Sequence, residues 1–303
     1  MTSPASPGAL IRAMPAVFVL IWSTGFIVAK YGLPYAPPLS FLAIRYVLSL
    51  ACFLVWIAIA RVAWPRSGTQ WLHLGITGIL IHAGYLGGVW SAIKGGMGSG
   101  LSALIVGLQP VLTAVWVSRM GDSSQGDNRV SARQWLGLGL GLAGLLLVVS
   151  RKFGAGNEAT SATLAFAVFA LFSITIGTLY QKRFVAQADV RSANAIQLGA
   201  ALLVTLPFAW METEPVVPTA EFVGALAWSV LALTLGGSSL LYMLIQRGAA
   251  TAVTSLLYLV PPTTALMAWL LFGETIMVVT VLGTALTALG VWLVVRNEAK
   301  TAA

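Results

Sequence analysis

Residues 98–122 read GSGLSALIVGLQPVLTAVWVSRMGD, an apolar run long enough to cross a bilayer but interrupted near its middle by Gly107, Gln109 and Pro110. A proline inside a helix removes one backbone hydrogen bond, and its ring clashes with the preceding turn. Lipid offers the freed carbonyl no partner, so such a break persists only where protein or a water-filled cavity satisfies it. The pattern recurs at 249–274, AATAVTSLLYLVPPTTALMAWLLFGE. There Pro261 aligns with Pro110, and Gly273-Glu274 aligns with Gly121-Asp122 one residue out of step. Duplicated broken helices predict two related halves that meet at a midplane binding site, the layout of secondary carriers.

Composition puts those helices in a membrane. The chain is 58% hydrophobic and 9% charged, with a mean hydropathy of +0.89, against roughly 25% charged residues in soluble proteins. It cannot cover a water-facing surface. The net charge of +8 is then the basic excess of membrane-protein loops rather than a nucleic-acid footprint. The partners expected are a small-molecule substrate and the lipid bilayer, with no nucleic acid. Cys52 is the only cysteine, so an intrachain disulfide is impossible and an inert thiol is expected. The first apolar run lacks a small-residue cleavage site and reads as a retained helix rather than a signal peptide.

A span needs about 20 apolar residues, and ten segments qualify: 14–31, 38–60, 70–93, 98–119, 133–150, 161–181, 191–210, 221–245, 250–272 and 276–295. The predicted fold is all-α and integral to the membrane. Its two five-helix repeats cover 12–151 and 161–296, with short tails at 1–11 and 297–303. Weaker internal matches support the division: Trp135-Leu136-Gly137 with Val281-Leu282-Gly283, Gly144 with Gly290, and Trp22-Ser23 with Phe172-Ser173. Placing both termini in the cytoplasm puts twelve of the seventeen Lys and Arg residues on the inner side and four on the outer, as positive-inside topology requires. The acidic loop 211–221 and Lys182-Arg183 then lie outside and inside, respectively. Because five is odd, the second repeat starts from the opposite side, so the repeats are inverted.

Several stretches carry a family resemblance: Trp22-Ser23-Thr24-Gly25-Phe26, Lys30-Tyr31-Gly32-Leu33, Pro37-Pro38 with Arg45, Gly96-Met97-Gly98-Ser99-Gly100-Leu101, Gln109-Pro110 and Gly273-Glu274. In order and spacing, over roughly residues 12–296, they resemble the EamA family of ten-helix bacterial metabolite exporters, within the drug/metabolite transporter superfamily. The resemblance implies a carrier of the bacterial cytoplasmic (inner) membrane with a central cavity lined by helices 1, 3, 4, 6, 8 and 9. It implies export of amino acids, cysteine-pathway metabolites, pigments or drugs without choosing among them. The small four-helix multidrug members of the superfamily use a glutamate in helix 1. Residues 14–31 contain no acid, so their cation/proton antiport is not expected here.

Candidate residues follow from chemistry that is costly in a membrane. Arg45 is the one charge inside a span, on the order of 10 Å below the outer end. It reads either as an anion hook for a substrate carboxylate or as a snorkelling side chain that fixes the fold. Lys30, at the outer end of helix 1, reads as an exit guard or as a solvated end residue. His82 is the only mid-span group that titrates near neutral pH, and otherwise a structural hydrogen-bonder. Gln109 beside its break is a ligand group or interhelical glue. Trp22, Tyr85, Tyr180, Tyr242 and Tyr258 fall on helices expected to line the cavity, where rings with a polar tip suit a wet pocket. Pro110 and Pro261 mark the breaks. Gly137, Gly139, Gly141 and Gly144 permit close helix packing, either within the chain or across a homodimer; monomer and homodimer both stay open.

Motifs of catalysis are missing: no phosphate loop, no HExxH, no Cys/His metal set and no paired intramembrane acids. No enzyme activity, cofactor or metal is expected. The reading is a secondary transporter that exports a small, partly apolar metabolite, an amino acid or a relative, by alternating access. Its rival is a membrane sensor or accessory subunit that binds a ligand without moving it. All nine acids lie in loops, tails or span edges. Proton coupling could therefore pass only through His82 or through the substrate's own charge, and weak pH dependence is expected.

Overall fold

The computed structural model describes residues 9–120, 132–152, 159–185, 188–246, 259–274 and 277–301. Tyr258, most of the connections 121–133 and 152–160, and the outer parts of both tails lie outside the described residues. Helices occupy each of the ten segments: α1 (Ala9–Gly32), α2 (Pro38–Ala60), α3 (Gly68–Lys94), α4 (Ser99–Val106) and α5 (Gln109–Met120), then α6 (Ala132–Lys152), α7 (Ser161–Phe184) and α8 (Val190–Trp210). α9 runs through Ala220–Trp228, Ser229–Ser238 and Ser239–Gln246, and is followed by α10 (Val260–Phe272) and α11 (Val278–Thr301). Five helices are long and apolar enough to cross a membrane, and shorter apolar stretches lie in the others. Large apolar side chains face outward, with Trp210 84%, Ile59 79% and Leu203 74% exposed. A water-facing monomer rarely shows such a surface; this is a multi-pass membrane protein.

Chain ends of the helices are closed by local chemistry. Pro38 opens α2, where its missing N–H costs nothing. The Leu39 and Ser40 amides that follow donate to the carboxylate of distant Glu212 at 3.0 and 2.7 Å. α7 starts with a reciprocal Thr160–Thr163 capping box. α8 is capped by Asp189, whose carboxylate is held below its ordinary range chiefly by hydrogen bonding from Arg191. α10 ends at Gly273 with φ +64°, the left-handed conformation that glycine adopts without a Cβ penalty.

The fourth span breaks where the proline predicts, at Gly107-Leu108 between α4 and α5. α10 begins at Val260 with Pro261 in its first turn. The two breaks meet: a side chain on Gly107 would run into the Pro261 ring.

The sequence reading missed a second pair of irregularities. α3 widens to a π-helix over Ile79–Leu86, and α9 does so over Ser229–Ser238. Shifting the first by the interval between Pro110 and Pro261 lands it inside the second. π-segments often sit at functional sites, and both lie in Gly/Ser-rich stretches, Gly84–Gly88 and Gly236–Ser239, a composition that commonly marks irregular turns in long helices.

Packing between the halves is reciprocal. α3 lies on α7 as α9 lies on α1, α4–α5 touch α7 as α10 touches α1, and α2 pairs with α8 as α6 pairs with α11. Of the glycine stripe, Gly137, Gly141 and Gly144 meet α11, while Gly139 faces open space. A side chain at Gly290 would strike the backbone of Gly137 and Gly141, and one at Gly144 would strike Gly283 and Thr287. Close backbone approach between α6 and α11 is thus what these glycines permit.

Candidate functional site

A cavity lies between α1, α2, α3 and α9. Each wall follows from its helix. α1 contributes Trp22, Gly25 and Phe26; α2 contributes Arg45; α3 contributes Ile81, His82 and Tyr85 from its π-segment; α9 contributes Leu233 and Ser238 from its own. A widened turn moves side chains off the α-helical register, and here both widened turns look onto one space. The Trp22 and Tyr85 rings lie parallel with centroids 6.4 Å apart. Arg45 is 5% exposed, and its Nε donates to Thr234 Oγ1 at 3.0 Å. Thr234 in turn donates to the Ser229 carbonyl five residues back, one π-turn along α9. His82 is buried beside Tyr46, whose hydroxyl donates to the His82 carbonyl at 2.8 Å.

Four sequence candidates therefore converge: Trp22, Arg45, His82 and Tyr85. Gln109 lies elsewhere, buried at the break. Its amide donates to Thr178 Oγ1 of α7 at 3.0 Å, a bond that joins the two halves. Tyr180 also stays away from the cavity; its hydroxyl pairs with His73 Nδ1 at 2.6 Å, and His73 stacks on Phe184. Tyr242 falls on α9 with a side chain outside the described set, as Tyr258 does entirely. Cys52 is a free, partly buried thiol. The signals that worked were a charge and aromatic rings in apolar context. The π-segments had a signal in their Gly and Ser clusters that went unused.

Above the cavity, at the end of the bundle that carries Lys30, α1, α4 and α10 are clasped together. Lys30 Nζ donates to Glu274 Oε1 at 2.6 Å, and the same oxygen accepts the Ser99 amide at the start of α4 at 3.1 Å. Lys30 also lies over the Phe272 ring, 4.9 Å from its centroid. The left-handed turn at Gly273 aims Glu274 inward, and its side chain is 11% exposed. At the same end Lys94 Nζ donates to the Leu33 carbonyl and to Glu214. No group of three metal-ligating side chains occurs among the described residues.

A sequence model of the EamA-like transporter family matches this chain twice, over residues 13–150 and 161–296. An Archaeoglobus fulgidus protein named as an uncharacterized transporter is 25% identical over 93% of this chain and 96% of its own length. A Salmonella typhimurium protein named as a probable amino-acid metabolite efflux pump is 27% identical over 63% of this chain and 59% of its own. The Escherichia coli inner membrane transporter YedA, also named as uncharacterized, is 25% identical over 88% and 84%. A solved crystal structure shares the fold, with a TM-score of 0.68 at 16% identity, covering 94% of this chain and 97% of that one.

Proposed function

This chain belongs to the EamA-like transporter family, and from that premise we propose a secondary exporter of a small metabolite that works by alternating access. What carries the reading is the cavity: it is walled by helices of both repeats, at the two π-segments, beneath a charged clasp. The ten helices span a bacterial inner membrane, the setting in the name of the E. coli relative. The repeats are inverted, both termini are cytoplasmic, and the Lys30 end faces outward, as the twelve-to-four distribution of basic residues favours. Reciprocal contacts between the halves fit a two-fold relation, which lets one arrangement exchange for its mirror state.

In this reading Trp22, Arg45, His82 and Tyr85 hold the cargo. Lys30–Glu274–Ser99 is the outer gate, which must part before α1, α4 and α10 can separate. Gln109 with the touching breaks at Pro110 and Pro261 is the hinge between halves. The cargo is an amino acid or a related, partly apolar compound, the class in the name of the Salmonella relative. With no acid on the cavity wall among the described residues, movement is facilitated or exchange-type and weakly pH-dependent.

Proteoliposome counterflow tests the reading, using a labelled compound chosen by comparing the medium of overexpressing and deletion strains. Labelled cargo should accumulate transiently against preloaded unlabelled cargo. Binding without counterflow would make the protein a sensor instead. Strong accumulation driven by a pH gradient and retained in His82→Ala would overturn the uncoupled mechanism and point to Glu274.

A further inference from the structure

Building on the carrier reading, we infer that the cavity selects an organic anion: a carboxylate on an apolar or aromatic body, preferred over the zwitterionic amino acid of the same shape. Arg45 lines the cavity with 5% of its surface exposed, and Thr234 is its one hydrogen-bond partner among the described residues. A guanidinium offers five N–H donors in a planar fork and does not deprotonate. With Nε committed to Thr234, the fork's terminal amines are left for whatever enters. A buried cation is stable only when paired, and no carboxylate pairs with Arg45 among the described residues. The five acids whose side chains are described are engaged or placed elsewhere. Glu274 is on Lys30 and Glu214 on Lys94; Glu212 caps α2, Asp189 caps α8, and Glu221 opens α9. A carboxylate meets the terminal N–H groups with the bidentate geometry that guanidinium favours.

The rest of the wall sets the body and rejects the amine. The stacked Trp22 and Tyr85 rings, with Phe26 and Leu233, suit a flat apolar group. For an ammonium the described wall offers no carboxylate, and a like-charged guanidinium lies in reach. A free amino acid thus loses through its amine much of what its carboxylate gains.

The test is isothermal titration calorimetry on the full chain in detergent with three probes of one body: 3-phenylpropanoate, phenylalanine and phenylalaninamide. They carry net negative, zero and positive charge. The anion should bind at least about tenfold more tightly than the zwitterion, and the cation should bind most weakly. Arg45→Gln should cost 3-phenylpropanoate at least about tenfold and erase the order. Should that variant not fold, Ser238→Asp puts a carboxylate on the wall and should reverse the order. Affinities of anion and zwitterion within about threefold of each other, no binding of any probe to folded protein, or an order untouched by either variant would each overturn the inference. Counterflow of phenylalanine alongside equal affinities would leave the carrier reading standing while removing this one.

Discussion

The two halves build the same corner twice, and they finish it differently. Where α1 meets α9, side chains meet at ordinary distance and leave a cavity: a methyl on Gly25 would sit 3.6 Å from Leu233. Where α7 meets α3, backbones press together. Gly84 has Ser173 against it, Gly88 has Phe166 and Ala170, and Gly177 has Leu80 and Ile81. The aligned serines make the contrast local. Ser23 Oγ turns back to the Val19 carbonyl of its own helix at 2.7 Å, whereas Ser173 Oγ crosses to Leu80 of α3 at 2.9 Å. Shifted instead by the interval between Pro110 and Pro261, Arg45, His82 and Tyr85 correspond to Ile196, Leu233 and Gly236. Duplication supplied the scaffold, and a handful of side chains made one corner a seam and the other a cavity.

Substitutions that exchange the characters of the corners test this. Gly84→Leu forces a side chain into the Ser173 seam and should cost about 1–3 kcal/mol from overpacking, seen as a lower unfolding midpoint in mixed micelles. Gly25→Ala on the open side should be neutral or stabilising, because alanine is the better helix former. Equal losses from the two would erase the distinction. Thr234→Val strips Arg45 of its partner and should raise KM for the cargo about five- to tenfold with kcat little changed, the pattern of lost uniform binding. Ser173→Ala should cost about 0.6 kcal/mol, the usual worth of a polar contact between membrane helices, while Ser23→Ala should cost less. The smallest effect compares the starts of α2 and α8. Because binding to Arg191 depresses Asp189 in the fold, its stabilisation is present above the ordinary carboxylate range and is lost as pH falls through the folded value, below about pH 4. Thermal scans across that window should show a shallower decline in Asp189→Asn.

Much of this was legible in the chain. Apolar length fixed the helices, and the prolines located breaks that do touch in the structure. Arg45, Trp22, His82 and Tyr85 stood out because charge, imidazole and rings are conspicuous among Leu, Val and Ala. Two things were not legible. The cavity lies at the π-segments rather than at the prolines, and Gly and Ser clusters do not by themselves tell a widened turn from close helix packing. The Lys30–Glu274 clasp joins residues 244 apart in sequence. Read alone, each was a span-edge charge; only the Gly273 turn and the neighbourhood of α1, α4 and α10 bring them together.

A lone guanidinium in the cavity has an electrical meaning. A cargo that carries the negative charge, with no proton or cation obliged to travel beside it, makes every outward cycle a current. Moving one charge through 100 mV is worth about 2.3 kcal/mol, so a negative-inside cell would hold such an anion about fiftyfold more concentrated outside than in for each 100 mV at balance. On the proposed carrier reading the membrane voltage itself would expel the compound, and the clasp of Lys30 and Glu274 would set how fast that battery discharges.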